Sequence, residues 1–326
     1  MRMWTNATMD LGTSKILVYS KNGTLIMHEA SFVALDEDGN VVEVGDDAKR
    51  MFGRVQNDVK VVKPVDRGTI VDEDSAFMML NSLFKKYGVK GIFGTRIVAT
   101  MGLDLSEGEE ETFIQLLDRL GISRIHIIPS VMAIALHAGV NIMDEKGLMI
   151  VDMGAGKTDL GVVSMGEVVL SKRFEIGGND FDERIVNNIR ERFSMLISLE
   201  TAEKLKIKLG KVDTEKIVGV DTKTGLPKEM DLPLDELRES LDEIMNELVE
   251  NIRESMENMK PELVEDVYKN GIILAGGLSQ LGGVEKKIME RTKMVVRKVD
   301  DPVHSAALGA TKVFLNREFL KLTEVI

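Results

Sequence analysis

The sequence contains no cysteine, only four histidines and a single tryptophan in 326 residues. The absence of cysteine excludes disulfides, thiolate metal sites and a cysteine nucleophile, and so few histidines argue against a His-based zinc site. Proline is also scarce, and no low-complexity linker divides the chain. Because 44% of the residues are hydrophobic and 29% are charged, the composition is that of an ordinary globular protein.

Long apolar runs and an excess of basic charge are missing as well. No stretch reaches the ~18 clean apolar residues of a membrane span. The nearest, residues 125–140, is interrupted by Pro129 and two histidines, and is interpreted as a buried strand entering a buried helix. Met1–Asn6 is too short and too polar for a signal peptide. The formal net charge of −12 opposes nucleic-acid binding, because nucleic-acid binders present basic faces.

The chain does contain a repeat whose copies are 142 residues apart. Residues 9–27 and 151–170 both read as strand, Asp-x-Gly turn, strand, turn, strand, with Asp10 leading the first turn and Asp152 the second. Asn22-Gly23 is typical of the tight turn in a hairpin. We therefore expect two related domains built on the same three-stranded meander.

Helical periodicity and capping residues predict helices between the strands. They are expected over 74–87, 106–120, 180–192 and 234–259, and in a last long helix that starts at Asp301-Pro302. Alternating strands and helices predict an α/β chain whose sheets are covered on both faces.

An Asp-x-Gly turn between two strands suits a phosphate for two reasons. Its glycines let backbone N–H groups approach phosphate oxygens closely. Its aspartate repels phosphate, but it binds a hydrated Mg²⁺ that neutralises the phosphate. Two such turns in a repeated meander predict a nucleotide whose phosphates are held from both sides.

Three further segments support this prediction. Gly177–Asp182 follows the second meander and opens a helix, and Gly276–Ser279 is a Gly-Gly turn that would let a flat base approach the backbone. Glu203 and Lys206 lie three residues apart on one helical face, where a solvated ion pair is the alternative to a role in binding.

Together these segments resemble the ATPase superfamily of actin, the heat-shock chaperones and the sugar kinases. Within it, the chain is most similar to the MreB family of bacterial actins, and the similarity extends over nearly its whole length. The segments that carry the family resemblance are Pro64–Ile70, Thr201–Gly210, Thr224–Pro227 and Pro261–Val264.

The resemblance implies an α/β, actin-like (ribonuclease H-like) fold with two related domains around a nucleotide cleft. The first would comprise 1–138 and 307–326 with a small subdomain near 30–65, and the second 139–306 with a small subdomain near 181–260. ATP and Mg²⁺ would bind in the cleft, with the metal held through water by Asp10 and Asp152. The implied nucleotide-binding residues are Asp10, Gly12, Thr13, Ser14, Lys15, Asp152, Gly154, Gly156, Lys157, Thr158, Gly177, Gly178, Asp180, Glu203, Lys206, Gly276, Gly277, Leu278 and Ser279.

One position departs from the family pattern. Where MreB proteins carry the glutamate that orients the attacking water, this chain carries Ser130. A serine cannot act as a carboxylate base at neutral pH, and we expect it to N-cap the helix 131–138 instead. The resemblance therefore leaves open whether the chain is a weak ATPase or hydrolyses no ATP.

The second loop departs too, because Ala155 takes the place of a glycine and Lys157 is an unusual addition. Lys157 either reaches the phosphates or projects into solvent. Lys15 follows the first loop, where some relatives carry a lysine near the β-phosphate.

The resemblance also implies partners. Ile92 and Phe93, between Gly91 and Gly94, match the apolar membrane loop of MreB. The nearby basic residues Lys85, Lys86, Lys90 and Arg96 would suit anionic lipid, and Trp4 is a second candidate contact. The expected setting is cytoplasmic and peripheral at the inner face of the membrane, with self-assembly into filaments and the cell-wall elongation machinery as partner.

Two functions remain open on this reading: a membrane-bound cytoskeletal filament that organises cell shape and wall synthesis, or a hydrolysis-poor, ATP-binding scaffold that partners another MreB or a division protein. A sugar kinase is disfavoured because the chain shows no sugar-binding insertion. A chaperone is disfavoured because there is no room for a substrate domain.

Overall fold

The structure is a computed structural model that describes residues 6–54, 58–89, 95–323 and 325. The strands are β1 Asn6–Leu11, β2 Lys15–Ser20, β3 Leu25–Ala30, β4 Val33–Asp36, β5 Val41–Val44, β6 Val59–Val62, β7 Val65–Asp66, β8 Thr69–Ile70, β9 Arg96–Met101, β10 Arg124–Pro129, β11 Leu148–Met153, β12 Thr158–Ser164, β13 Glu167–Phe174, β14 Met195–Leu196, β15 Thr214–Asp221, β16 Pro227–Pro233, β17 Ile272–Ala275 and β18 Val296–Lys298. The helices are α1 Asp46–Met51, α2 Glu73–Tyr87, α3 Glu107–Arg119, α4 Ser130–His137, α5 Gly178–Phe193, α6 Leu199–Lys208, α7 Arg238–Glu257, α8 Pro261–Asn270, α9 Val284–Thr292, α10 Ser305–Thr311 and α11 Arg317–Thr323.

Two five-stranded sheets of the same topology form the two halves of the molecule. Their strand orders are β3-β2-β1-β9-β10 and β13-β12-β11-β17-β18. In each, the first strand pairs antiparallel with the second strand of the meander and parallel with a strand that follows a helical crossover. The predicted repeat of the meander is confirmed.

Each half also carries a small three-stranded sheet. One consists of β5, β4 and β6 beside α1, and the other of β14, β15 and β16. They lie within the predicted small subdomains at 30–65 and 181–260. The domain boundaries themselves remain a prediction, and the one at 306/307 falls inside α10.

The halves meet through an apolar cluster around α4 and α10. It joins residues of both large sheets, such as Val98 on β9 and Ile150 on β11, to the buried side chains of these two helices. Gly309 is needed in α10 because a Cβ there would overlap the backbone of Ala133 in α4. Close helix packing therefore fixes the base of the space between the halves.

Local sequence explains most helix ends. The Asp72 side chain caps α2, which stops at Gly88 in the left-handed conformation, and Ser106 with Glu109 forms the predicted capping box of α3. Among the described residues, no helix is long and apolar enough to cross a membrane.

Three predicted helix boundaries were wrong. The helix expected from Asp180 begins at Gly178, and Asp180 caps it by accepting the N–H of Gly177 at 2.7 Å. The helix expected over 234–259 is a 3₁₀ turn followed by α7. The helix expected from Asp301 starts only at Ser305, because Asp301 has a positive φ of 46° that no right-handed helix accommodates.

Candidate nucleotide-binding cleft

The two Asp-x-Gly turns are built alike. The N–H of Gly12 donates to the Lys15 carbonyl at 2.9 Å, and the N–H of Gly154 donates to the Lys157 carbonyl at the same distance. These residues occupy equivalent positions of the repeat, so the shared sequence pattern produces a shared backbone loop. The first loop joins β1 to β2, and the second joins β11 to β12.

The loops face each other across the gap between the halves. A Cβ on Gly156 would lie 2.5 Å from the Thr13 hydroxyl and 2.9 Å from the Arg67 Cα, so only glycine permits this approach. The Thr13 hydroxyl in turn accepts the N–H of Gly68 at 2.8 Å. The β7–β8 hairpin therefore closes one side of the gap.

Between the loops lies a cleft with a cavity volume of about 340 Å³, within the usual range for small-molecule sites. The predicted residues that line it are Asp10, Gly12, Thr13, Ser14, Lys15, Ser130, Asp152, Gly154, Gly156, Lys157, Gly178, Glu203, Lys206, Gly276, Gly277 and Leu278. The structure thus brings together segments that are up to 268 residues apart in the chain.

Four predicted residues do not line this cavity, namely Thr158, Gly177, Asp180 and Ser279. The Thr158 hydroxyl donates to the Ile176 carbonyl at 2.8 Å, and the buried Ser279 hydroxyl donates to the Gly276 carbonyl at 2.7 Å. Asp180 caps the helix that begins after Gly177. These residues hold the turns in shape.

The two loop aspartates differ in electrostatics. Burial raises the pKa of both, but the Thr100 hydroxyl donates to Asp10 at 2.6 Å and opposes the rise there. For Asp152, burial and the nearby Asp159 and Asp10 carboxylates raise the pKa to about 7. Crowded carboxylates of this kind favour a bound cation.

Lys157 does not project into solvent, and its predicted contact with the phosphates stays a prediction. Its side chain is only 12% exposed, and its ammonium pairs with the Asp159 carboxylate at 2.8 Å. By contrast, the side chain of Lys15 is 35% exposed and lies 3.8 Å from Asp46. The second loop therefore places a buried cation in the cleft wall, and the first loop does not.

Glu203 and Lys206 do not form the surface ion pair that was the alternative reading. The Lys206 ammonium donates to the Gly178 carbonyl at 2.7 Å and to Asp182 at 2.8 Å. Glu203 instead accepts from Lys49 of α1, in the other half, at 3.0 Å. Both side chains are thus held at the cleft by tertiary contacts.

The expectation that Ser130 caps a helix was wrong. Pro129 occupies the cap position, and Ser130 is the first residue of α4 and makes no capping hydrogen bond. Its hydroxyl is buried and makes no hydrogen bond of regular geometry, yet it lies close enough to Asp152 to lower the pKa of that carboxyl. Ser130 therefore faces the cleft, and no carboxylate stands at this position.

Sequence reasoning missed three residues of the site. Asp159 lies two residues beyond Lys157, and strand alternation could have placed the two on one face. Asp182 ends the segment Gly177–Asp182, but the sequence pattern alone assigns it no role. The guanidinium of Arg67 reaches Asp180 at 2.9 Å across the gap, and no local signal in the sequence announces that contact.

The predicted membrane residues Ile92 and Phe93, like Trp4, lie outside the described residues. Of the lysines expected to face lipid, Lys86 pairs with Glu29 at 3.1 Å. This ammonium is therefore already engaged within the protein.

Comparisons with known proteins identify the family to which the chain belongs. A family model described as "MreB/Mbl protein" matches residues 4–321. The chain is 31% identical over 320 residues to the cell shape-determining protein Mbl of Bacillus subtilis, covering 96% of each protein. It is 30% identical over 318 residues to the cell shape-determining protein MreB of Escherichia coli, covering 94% of this chain and 92% of that protein.

Solved structures agree. MreB5 of Spiroplasma citri bound to AMPPNP superposes with a TM-score of 0.90 at 27% identity, covering 99% of this chain and 98% of that one. The same protein has been solved with ADP. A MamK double helical filament, at 20% identity and a TM-score of 0.77, shares the fold. The predicted actin-like fold is confirmed, and the chain belongs to the MreB/Mbl protein family.

Proposed function

We propose that this chain is an actin-like cytoskeletal protein that binds ATP with Mg²⁺ in the cleft, assembles into filaments and helps to determine cell shape. The observation that carries the nucleotide part is the pair of matched glycine loops facing each other between the halves. Curated relatives named for cell-shape determination, and a family member solved with AMPPNP and with ADP, support it.

The residues present fit a metal–nucleotide complex. Backbone N–H groups at the glycine loops suit phosphate oxygens. Burial and the neighbouring carboxylates of Asp159 and Asp10 raise the pKa of Asp152, and a bound cation would stabilise its charged form. The described residues contain no ready-made cluster of three or more metal-ligating side chains, which is consistent with Asp10 and Asp152 holding Mg²⁺ through water. When bound, the metal would supply positive charge against the phosphates.

On the side of the cleft formed by β17, the Gly276–Gly277 turn would take the nucleoside. Gly276 has a φ of 77°, and a Cβ at Gly277 would have only a Val303 methyl at 3.8 Å as neighbour. The turn therefore leaves open space over its backbone, where a flat base could lie. The end of α6 lies beside the segment that follows this turn, because a Cβ at Gly282 would be 3.9 Å from the Leu209 carbonyl oxygen. Lys206 and Glu203 of α6 therefore line the cleft from the same side as the turn.

Slow hydrolysis is the expected chemistry. The Ser130 hydroxyl faces Asp152 where the family resemblance implies a glutamate, and it can accept a hydrogen bond from water without removing its proton at neutral pH. Orientation by backbone groups would then supply most of the remaining rate enhancement. The second candidate function, an ATP-binding scaffold that partners another MreB or a division protein, rests on this same position.

The proposal also includes attachment to the inner face of the cytoplasmic membrane through Ile92 and Phe93. The cell-wall elongation machinery is the proposed partner there. One apolar pair gives a weak bond for a monomer, whereas a filament presents many copies and gains avidity. Because the net charge of the chain is −12, we expect membrane binding to depend only modestly on anionic lipid. Binding should instead depend on assembly of the filament.

Nucleotide binding is tested by thermal melts and calorimetry with Mg-AMPPNP and Mg-ADP. Each should raise the melting temperature by mass action, and Asp152→Ala should reduce the rise. An unchanged melting temperature together with no heat of binding would refute the nucleotide part. Sedimentation with ATP, alongside measured turnover, separates a filament-forming ATPase from a scaffold that binds without hydrolysing.

Membrane attachment is tested by liposome flotation of the wild type and an Ile92→Ser/Phe93→Ser variant, both with ATP. Leu226→Ser is a matched control, because Leu226 is an exposed apolar residue on the β15–β16 turn of the other half. Loss of flotation in the double variant alone supports the proposed contact. Equal flotation of all three proteins would place the contact elsewhere.

A further inference from the structure

The side chain of Lys157 crosses from the second loop to the wall of the first half. A Cβ at Gly68, in the β7–β8 hairpin, or at Gly102, just after β9, would overlap the Lys157 side chain. Two glycines from separate segments therefore leave the room that this lysine fills. The ammonium ends at the seam between the halves, 2.8 Å from Asp159.

The Lys157 ammonium acts electrostatically on several carboxylates at once. It lowers the pKa of Asp10, Asp152 and Asp159, each of which is raised by burial. The other two lysines that line the cleft act elsewhere: Lys15 lies near Asp46, and Lys206 is bound to Gly178 and Asp182. A further anion entering this part of the cleft would meet the carboxylates of Asp10, Asp152 and Asp159, and Lys157 is the cation that acts on all three.

The neighbourhood of Lys157 also has unused hydrogen-bonding capacity. One Asp159 carboxylate oxygen pairs with the Lys157 ammonium at 2.8 Å and accepts the N–H of Leu103 at 3.2 Å. The other Asp159 oxygen and the Lys157 ammonium itself are buried and have no hydrogen bond of regular geometry among the described residues. The Ser130 hydroxyl is buried in a similar state. Buried polar atoms in natural proteins are normally satisfied, so the Lys157 ammonium, which can donate three hydrogen bonds, is available to an incoming acceptor such as a phosphate oxygen.

The position of Lys157 along the cleft indicates which polar group. Lys206 meets Gly178, and Gly178 packs on Ala155 of the second loop. Lys157 leaves that loop in the direction of Gly68 and Gly102. If the nucleoside lies at the Lys206 end, the terminal phosphate of the nucleotide would lie at the Lys157 end.

We infer that Lys157 is the residue that distinguishes a nucleoside triphosphate from a diphosphate, through transfer of its ammonium from Asp159 to the terminal phosphate. The inference rests on the proposed binding of nucleotide in the cleft. A diphosphate leaves the Lys157–Asp159 pair intact, whereas a third phosphate adds negative charge beside three carboxylates and requires this cation. A flexible four-carbon side chain makes the exchange sterically simple.

The test compares the Kd for Mg-AMPPNP with that for Mg-ADP by calorimetry in the wild type and Lys157→Met. Loss of one charge-assisted hydrogen bond should weaken AMPPNP by about 10- to 100-fold and leave ADP nearly unchanged. Lys157→Arg should restore part of the preference. The matched control is Lys172→Met, an exposed lysine on β13, which should behave as wild type.

A second variant guards against misfolding, because Lys157→Met leaves Asp159 buried without its counter-ion. In Lys157→Met/Asp159→Asn the neutral amide needs none, and the selective loss of AMPPNP should persist. Equal weakening of both nucleotides, or an unchanged AMPPNP-to-ADP ratio in both variants, would overturn the inference while leaving nucleotide binding intact. A wild type that binds neither nucleotide would overturn the proposed function and this inference with it.

Discussion

In each half of the molecule, a glycine N–H donates to a lysine carbonyl 2.9 Å away, and that lysine ends an Asp-x-Gly loop. The loops differ in the side chains that surround this common backbone. Opposite Asp10, the parallel strand β9 presents Thr100, whose hydroxyl donates to the carboxylate. Opposite Asp152, β17 presents Ala275, which has no such group.

The antiparallel neighbours differ as well. Leu17 pairs with Asp10 across β1 and β2, whereas Asp159 pairs with Asp152 across β11 and β12. A second carboxylate thus stands beside Asp152, and Lys157 is buried against it. The comparison teaches that the repeat fixes the loop geometry, while two facing positions assign most of the buried charge to the second loop.

The largest expected change comes at Ser130, beside the second loop. Ser130→Glu should raise single-turnover ATP hydrolysis, because positioned proton-transfer groups commonly contribute roughly 10²–10⁴-fold. Ser130→Ala is the control and should keep the slow wild-type rate. If neither the glutamate nor the alanine changes the rate of hydrolysis, Ser130 is not the water-orienting position.

The next largest difference between the two loops is expected when a glycine in each is replaced by alanine. Gly156→Ala would force its Cβ against Thr13 and the Arg67 backbone, and should destabilise the protein by about 1–3 kcal/mol. Gly12→Ala meets only the Lys15 carbonyl, at 3.1 Å, and should cost less. Urea denaturation of both variants gives the two free energies of unfolding. Equal costs would show that the loops are not in contact in solution.

The next prediction compares how Asp152 and Asp10 affect the pH dependence of the free energy of unfolding, measured without nucleotide or Mg²⁺. A folded-state pKa of about 7 for Asp152 lies above its unfolded value of 3.8. Its contribution to stability is therefore fully present below pH 3.8 and is lost as the pH rises through 7. Asp152→Asn should remove a downward slope that approaches the one-proton limit of about 1.4 kcal/mol per pH unit.

Asp10→Asn is the comparison for that experiment. Its slope should change less, because the Thr100 hydroxyl stabilises the Asp10 carboxylate. The measurement is the free energy of unfolding from denaturant titrations between pH 5 and 8. A larger change for Asp10→Asn than for Asp152→Asn would contradict the assigned difference between the loops.

The smallest effect is expected at Lys15. Its partly exposed ammonium is 3.8 Å from Asp46, and ion pairs of this kind contribute about 0–1 kcal/mol. Lys15→Met should therefore change the free energy of unfolding by less than about 1 kcal/mol, close to the effect of Lys172→Met. A much larger loss would mean that the first loop relies on its lysine as the second loop does.

Local sequence determined the parts of this protein whose physics is local. The meanders, the Asp-x-Gly turns and the caps at Ser106 and Gly88 depend on residues a few positions apart, so their patterns predicted them. The 142-residue repeat further predicted two related halves, and the family resemblance supplied the cleft between them.

Tertiary structure alone decided where the charges act. Glu203 meets Lys49 rather than Lys206, and Lys157 is buried against Asp159 rather than exposed. Ser130 faces Asp152 instead of capping its helix. The physical reason is that the energy of a charge or a polar group depends on burial and on partners from distant segments, and no periodicity in the chain encodes either.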